Sequence, residues 1–388
     1  MNIQIIYFTT TDWGGYHRKS MVRALARADT QNIKILVINR PIDFIITPWK
    51  HFDKFKKWIL GKNRYEQITP NLNIYTPLIL FHDYFYSRIY FVKDILIWVL
   101  KKQIKKYIQV DSDKLILWIC SPQHSHFLKL FKEGTFVYEI YDEFTIDING
   151  KGKKNIEIAE KDIIIRSDIV FTTSELLYHS KKKFAKNIHY IPNGISSELL
   201  QNRYLPIPEN VKTIFNNIPS PRIGYIGKIR NWLDFSLLHF IATREPNFSF
   251  VFIGPIQKQA PINTIDNLDN VYLLGEVIYE DLASYMNNMD IFIIPFKVNE
   301  FTKNCCPYKI FDYLTINKPI ISTDLPEVKR FYPYIKVGSN HQDFHGKMVE
   351  AINNKEYQNV PDNLIQENLW EKRVTQMLKT LYDHNSSS

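Results

Sequence analysis

Lys309 and Asp312 stand three residues apart in the run Asp290–Val328, DIFIIPFKVNEFTKNCCPYKIFDYLTINKPIISTDLPEV. The run reads as a buried strand, a polar loop, a helix opened by Pro307 at its first position, and a second strand. Residues three apart share one face of a helix. A helix start favours acidic residues, so a lysine placed there invites an anion as its partner. The plainer alternative is a solvated lysine paired with Asp312. Gly14-Gly15, ahead of a helix predicted over Tyr16–Ala28, offers backbone N–H groups to an anion or a sugar, or forms only a turn. There is no GxxxxGK[ST] and no GxGxxG after the first strand, which argues against a P-loop NTPase and a typical NAD-dependent dehydrogenase. The three cysteines, Cys120 and Cys305-Cys306, include no CxxC or Cys/His cluster, so neither a disulfide framework nor a structural zinc site is expected. Cys305-Cys306 reads as packing beside the loop.

These residues need elements to hold them. Short β-rich runs alternate with helical patterns along the chain, the signature of βα units and a mostly parallel sheet. Strands are predicted at Ile3–Phe8, Ile33–Ile38, Lys114–Ile119, Thr135–Ile140, Ile169–Thr173 and His189–Ile191. After Pro192-Asn193-Gly194 and a polar stretch, a second cycle follows at Arg222–Gly227, Ser249–Gly254, Asn270–Leu274, Asp290–Pro295 and Pro319–Thr323. With 388 residues the chain exceeds one core. The expected fold is α/β, two doubly wound Rossmann-like domains facing a central cleft. An N-terminal domain spans 1–200, a linker 201–221 and a C-terminal domain 222–365. Residues 366–388 form a helix returning to the first domain, with a frayed tail. Ligands in such sheets bind beyond the carboxyl ends of the strands.

The region of Lys309 resembles the donor-binding segment of GT-B glycosyltransferases, especially the family-4-like group that makes bacterial cell-surface polysaccharides. Asn299, Thr302, Pro307, Lys309, Asp312, Tyr313, Leu314, Lys318, Pro319 and Ser322-Thr323 fall at matching places. Pro192-Asn193-Gly194 is similar to the segment closing the first domain, and Ile223–Gly227 to the first donor-domain strand. Ser249–Gly254 and Leu282–Pro295 agree as well, so the likeness spans about 165 to 330. It implies a GT-B fold and transfer from a nucleotide-diphosphate sugar, with no cofactor and no metal. A leaving diphosphate needs cations or helix N-termini. By the resemblance, Lys309 supplies one cation, Lys228 or Arg230 another, and Asp312 takes the place of a glutamate that bonds the ribose hydroxyls. Gly227 and the loop Gly275–Tyr279, ending at Tyr279, border the nucleotide. The chain departs from the retaining relatives in carrying Asn304 where they have a first glutamate, which leaves the stereochemistry open and keeps a non-catalytic, sugar-nucleotide-binding relative as an alternative.

The acceptor belongs with the first domain. Tyr138–Phe144 (YEIYDEF) resembles a Tyr-Asp motif of related enzymes, and Asp142 is the candidate base, since inverting transfer needs one base in reach of the acceptor hydroxyl. His17, His124 and His126 are alternatives, and Gly14, Gly15 and His17 form the acceptor-side loop. The charge is uneven. Residues 1–195 hold 30 basic and 19 acidic side chains, and the whole chain is at +9. Lys50–Lys57, Lys93–Ile108 and His179–Lys186 mix lysines with apolar residues, as segments lying on anionic lipid do. In Lys93–Ile108 the expected membrane face includes Ile97 and Trp98. No apolar run reaches ~18 residues and the first residues are no signal peptide, so a cytoplasmic protein on the inner face of the membrane is expected. A basic, aromatic-rich nucleic-acid binder is the rival, without a recognised motif to support it.

Overall fold

The computed structural model describes residues 2–43, 47–61, 64–79, 90–108, 113–131, 133–355 and 359–386. It divides into two compact units. The first comprises Met1–Thr145, Gly152–Ile191 and Val374–Ser388; the second comprises Ile146–Lys151 and Pro192–Arg373.

The first unit is built on β1 (Ile3–Phe8), β2 (Ile33–Ile38), β3 (Ile42–Asp43), β4 (Tyr65–Thr69), β5 (Leu72–Tyr75), β6 (Leu78–Ile79), β7 (Lys114–Ile119), β8 (Thr135–Ile140), β9 (Ile169–Thr172) and β10 (Ile188–Tyr190). Eight of them form one sheet in the order β10-β9-β8-β7-β1-β2-β5-β4, parallel except for the β4–β5 pair, and β3 pairs with β6 apart from it. β1 and β2 are buried almost throughout, as expected of a sheet covered on both faces. One face carries the core of Ile6, Phe8, Leu117, Ile119, Tyr138 and Ile140.

The second unit contains β11 (Arg222–Ile226), β12 (Ser249–Ile253), β13 (Val271–Gly275), β14 (Ile291–Ile294), β15 (Ile320–Thr323) and β16 (Ile335–Gly338), all parallel in the order β13-β12-β11-β14-β15-β16. Numbered within the unit this is 3-2-1-4-5-6, the doubly wound Rossmann order, with its switch point between β11 and β14.

Several expectations need revising. The stretch 201–221 is not a plain linker: it holds the end of the helix Ser197–Asn202 and the helix Glu209–Asn216, and Val211, Phe215 and Ile218 enter the second unit's core. Residues 146–151 and 192–200 group with the second unit, not the first. The helix Trp370–Ser386 groups with the second unit up to Arg373 and with the first from Val374. It runs through Ser386, into the tail expected to fray, while 387–388 lie outside the described residues. The helix expected over Tyr16–Ala28 begins at Lys19, after a short 3-10 turn over Trp13–Gly15. Pro307 is the N-cap, one place ahead of the expected first position.

Candidate functional site

The site in the second unit starts from two glycines. Gly227 follows β11 with φ +128° and Gly254 follows β12 with φ +140°, conformations that L side chains rarely adopt. A Cβ on Gly254 would lie 2.3 Å from the Gly227 carbonyl oxygen, and one on Gly227 would lie 2.7 Å from Lys309 Nζ. The glycines thus let two strand ends close up and leave room for the lysine.

Lys309 lies in the first turn of the helix Tyr308–Leu314. Its ammonium sits 4.8 Å from the Tyr225 ring centroid and 5.3 Å from that of Phe296. Tyr225 belongs to β11 and Phe296 follows β14, so the cation occupies the switch point of the sheet. Among the described residues it makes no hydrogen bond or ion pair. Burial pushes its pKa down to about 8, Asp312 opposing the fall and Lys228 adding to it. Asp312, on the same helix, is pushed up to about 7 by burial, with Lys309 opposing the rise. The lysine is therefore a partly buried cation held on two aromatic faces, with Asp312 acting on it but in no direct ion pair with it.

The helix is held in place from both ends. The Ile226 N–H donates to Tyr313 Oη at 2.8 Å, and Tyr313 stacks on Phe292 at 4.3 Å. Asn193 Nδ2 donates to the Cys306 carbonyl at 2.7 Å, just ahead of Pro307. The Pro-Asn-Gly segment thus positions the loop that launches Lys309. Burial pushes the Cys306 thiol up to about 12, in keeping with a packing role.

The other expected donor residues divide. Lys228 is exposed, and its effect on Lys309 places its charge beside that site. Arg230 is exposed with its guanidinium 5.1 Å from the Trp232 ring. Tyr279 opens the short turn Tyr279–Asp281 after β13 and packs partly buried on the core. Asn304 turns back on its own helix, Nδ2 donating to the Glu300 carbonyl at 2.7 Å, and serves as its C-cap. Asn299 and Thr302 form a capping box on that helix. Sequence reading missed the aromatic seat; Tyr225 lay inside the motif Ile223–Gly227, but Phe296 gave no local signal.

In the first unit the loops after β1 and β8 come together. Gly14 and Gly15 are exposed and a side chain there would meet nothing within 4 Å, so sterics do not demand glycine; the Gly15 N–H closes the turn on the Asp12 carbonyl at 3.1 Å. His17 is exposed and its ring meets Tyr141 at 4.8 Å, edge to face. Tyr141 Oη also lies 3.4 Å from Thr10 Oγ1. Asp142 follows directly, partly buried, with Oδ1 accepting from the Glu143 N–H at 3.0 Å. Burial drives His124 down to about 3, which makes it a poor base, and it packs against Phe8 and Phe127. His126 rests on the Phe127 ring at 4.1 Å.

The basic clusters also divide. Lys181 is buried, 2.6 Å from Glu160 and 3.6 Å from Glu143, and Lys182 and Lys183 lie over Tyr178 and Phe184. Of His179–Lys186, Lys181 is therefore committed within the fold, while His179, Lys182, Lys183 and Lys186 stay exposed. In the helix Tyr90–Lys105, Ile97 faces the core together with Leu96, Leu100 and Ile104, contrary to expectation, while Ile95 and Trp98 face outward with Lys102 over the Trp98 ring at 4.0 Å. The helix Phe52–Ile59 and its flanks expose Trp49 (90%), Phe52 (62%), Ile59 and Leu60 beside Lys56 and Lys57. The side chains of Lys50 and Lys93 lie outside the described residues. Among the described residues no helix is long and apolar enough to cross a membrane, and no group of three or more His, Cys, Asp or Glu is placed to hold a metal ion.

Comparison with known proteins agrees with this fold. Residues 220–354 match the family described as glycosyl transferases group 1, and they contain β11 to β16 and Lys309. The chain is 25% identical over 290 residues to a putative teichuronic acid biosynthesis glycosyltransferase, TuaH, of Bacillus subtilis, covering 69% of this chain and 72% of that one. Among solved structures, sucrose-phosphate synthase of Thermosynechococcus elongatus superposes with a TM-score of 0.72 at 12% identity, covering all of both chains. HepE of Anabaena, solved in complex with UDP, gives 0.61 at 11% identity, over 99% of this chain and 100% of that one. The fold is thus GT-B, and residues 220–354 are a glycosyl transferases group 1 domain.

Proposed function

We propose that the protein is a glycosyltransferase that moves a sugar from a nucleotide-diphosphate sugar, UDP-sugars favoured, to a glycan or lipid-linked acceptor in surface polysaccharide assembly. The observation that carries the reading is Lys309, a cation that makes no hydrogen bond or ion pair among the described residues, at the switch point of a group 1 domain. A diphosphate leaving group gains charge as the glycosidic bond breaks, and a preorganised ammonium stabilises that charge more than it stabilises the ground state. Lys228 and Arg230 add positive charge from the loop after β11, and Asp312 accepts from the ribose hydroxyls. Asp142 removes the acceptor proton. The likeness to a UDP complex and to a teichuronic acid enzyme supports the choice of donor and of pathway class.

In this reading protein cations meet the diphosphate charge and turnover needs no divalent metal, so chelation with EDTA leaves the rate unchanged. A rate that falls with EDTA and returns with Mg²⁺ or Mn²⁺ refutes that part. The exposed Trp49, Phe52, Ile59 and Leu60 with Lys56 and Lys57 dock the protein on the anionic cytosolic face of the membrane. Cosedimentation with phosphatidylglycerol vesicles, absent with phosphatidylcholine and lost in Trp49→Ser/Phe52→Ser/Leu60→Ser, tests this docking; equal sedimentation of the variant contradicts it.

The donor test is a thermal-shift panel of UDP, GDP, dTDP, CMP and their sugar conjugates, with Lys309→Ala alongside. Stabilisation by one nucleotide class that disappears in the variant is the expected result. Asn304, spent on a helix end, favours one second reading: a nucleotide-sugar-binding relative without turnover. It predicts the same stabilisation and no sugar transfer.

A further inference from the structure

Beneath the Asp142 loop lies a charged pair that the proposed chemistry does not use. Arg18 and Glu139 are both completely buried and form an ion pair. Glu139 stands in β8, three residues before Asp142, and Arg18 immediately follows His17. Glu139 Oε2 accepts from Trp118 Nε1 at 3.0 Å and from Tyr7 Oη at 3.3 Å. Tyr7 Oη lies 3.0 Å from Tyr16 Oη and accepts from Cys120 Sγ at 3.1 Å. The network therefore joins β1, β7 and β8 to the acceptor-side loop. The Arg18 guanidinium also lies 5.6 Å from the Tyr141 ring, the ring that His17 and Thr10 touch from the other loop. A buried ion pair seldom adds net stability over an apolar pair of similar volume, so its value here lies in fixing geometry. On the far side of Asp142, Glu143 is anchored in turn, accepting from the Thr145 N–H at 2.8 Å and lying 3.6 Å from Lys181.

We infer that Arg18 and Glu139 are a positioning pair that locks the acceptor-side loop, residues 9–18, onto the β8 end and so fixes Asp142 through Tyr141. The inference rests on Asp142 being the base. The pair touches no substrate itself; it sets where the base and His17 stand relative to one another. Loss of the pair then loosens both loops together and slows proton removal, while the donor site in the second unit is unaffected.

The test is the double variant Arg18→Met/Glu139→Gln. Either single substitution leaves one buried charge unpaired and is expected to unfold the first unit. The double variant removes both charges, and the new amide side chain keeps a carbonyl acceptor for Trp118 and Tyr7. Amide hydrogen exchange is measured over residues 9–18 and 139–146, together with UDP affinity and UDP release from UDP-glucose or whichever UDP-sugar the panel selects. The expected result is a folded variant with at least tenfold faster exchange in both segments, unchanged exchange in the rest of the sheet, UDP affinity within twofold and kcat reduced at least tenfold. Unchanged exchange in both segments overturns the inference. So does faster exchange spread evenly over the first unit, or faster loop exchange with kcat within twofold of wild type. A wild-type protein that binds UDP but turns over no nucleotide sugar sinks the transferase reading instead, and the exchange measurement still decides whether the pair locks the loops.

Discussion

Lys309→Met should leave the protein more stable and useless toward nucleotide. The fall of the Lys309 pKa from 10.5 to about 8, at ~1.4 kcal/mol per tenfold change, sets about 3 kcal/mol against the charged form. The two rings under the ammonium return about 1 kcal/mol, and the partial exposure of the side chain lets water screen some of the remainder. The net penalty is about 1 kcal/mol. Methionine has similar length and rests on the same Tyr225 and Phe296 rings without the charge. The ligand-free variant should therefore melt a few degrees above wild type, at ~2–4 °C per kcal/mol for a unit of this size. The sign with pH follows from the depressed value: the penalty is complete below about pH 8 and shrinks from there toward 10.5, as the folded protein sheds the proton first. Differential scanning calorimetry at pH 7 and at pH 10, with and without UDP, tests all three parts. Wild type at 100 times its Kd gains about 2.7 kcal/mol from ligand, and the variant gains none. A ligand-free variant that melts clearly below wild type would show that the charge of Lys309 carries no net penalty, and one that UDP stabilises as strongly would show that the lysine does not hold the nucleotide.

Gly227→Ala places a Cβ 2.7 Å from Lys309 Nζ on a backbone at φ +128°; it should cost about 1–3 kcal/mol and abolish the UDP shift, whereas unchanged UDP binding would mean the lysine is not held where the structure puts it. UDP affinity in the wild type, titrated by calorimetry from pH 7 to 9.5, should decline above about pH 8 as Lys309 loses its proton, and Lys309→Arg should flatten that decline. Asp234 caps the helix Phe235–Arg244; burial raises its pKa, but Ser236, the Leu237 N–H and His341 outweigh that and hold it below the usual value. Asp234→Ala should cost about 1 kcal/mol at pH 7. That difference persists above the unfolded-state value and disappears as pH falls below 3.8 and through the depressed one, which urea melts at pH 7 and pH 2.5 would show.

Much of this architecture was legible because the sheets are buried on both faces. β1, β2, β7 and β8 are runs of apolar residues whose ends the sequence marks to the residue. The antiparallel β4–β5 pair escaped notice: Tyr65, Glu66 and Gln67 are exposed, and Leu72–Tyr75 has only four residues, too few to show a period. β16 is equally short. Lys309 was legible through the spacing of its motif, but its seat was not. Tyr225 and Phe296 become neighbours only because β11 pairs with β14, a relation that no local pattern records. Charge counting does not tell buried cations from surface ones. Arg18 and Lys181 add to the positive total of the first half of the chain, yet both are buried against carboxylates and contribute nothing to a surface for lipid.

Transfer of sugar from a nucleotide donor bound at Lys309 can be followed in one experiment. The protein is supplied with the radiolabelled sugar nucleotide that stabilises it and with lipid and glycan extracts as acceptors, beside Asp142→Ala and Lys309→Ala. Label is expected in the acceptor fraction with wild type, at least a hundredfold less with Asp142→Ala despite normal nucleotide binding, and neither binding nor transfer with Lys309→Ala. Nucleotide binding with no label moved by the wild type, or transfer undiminished in both variants, would contradict transfer from a donor bound at Lys309.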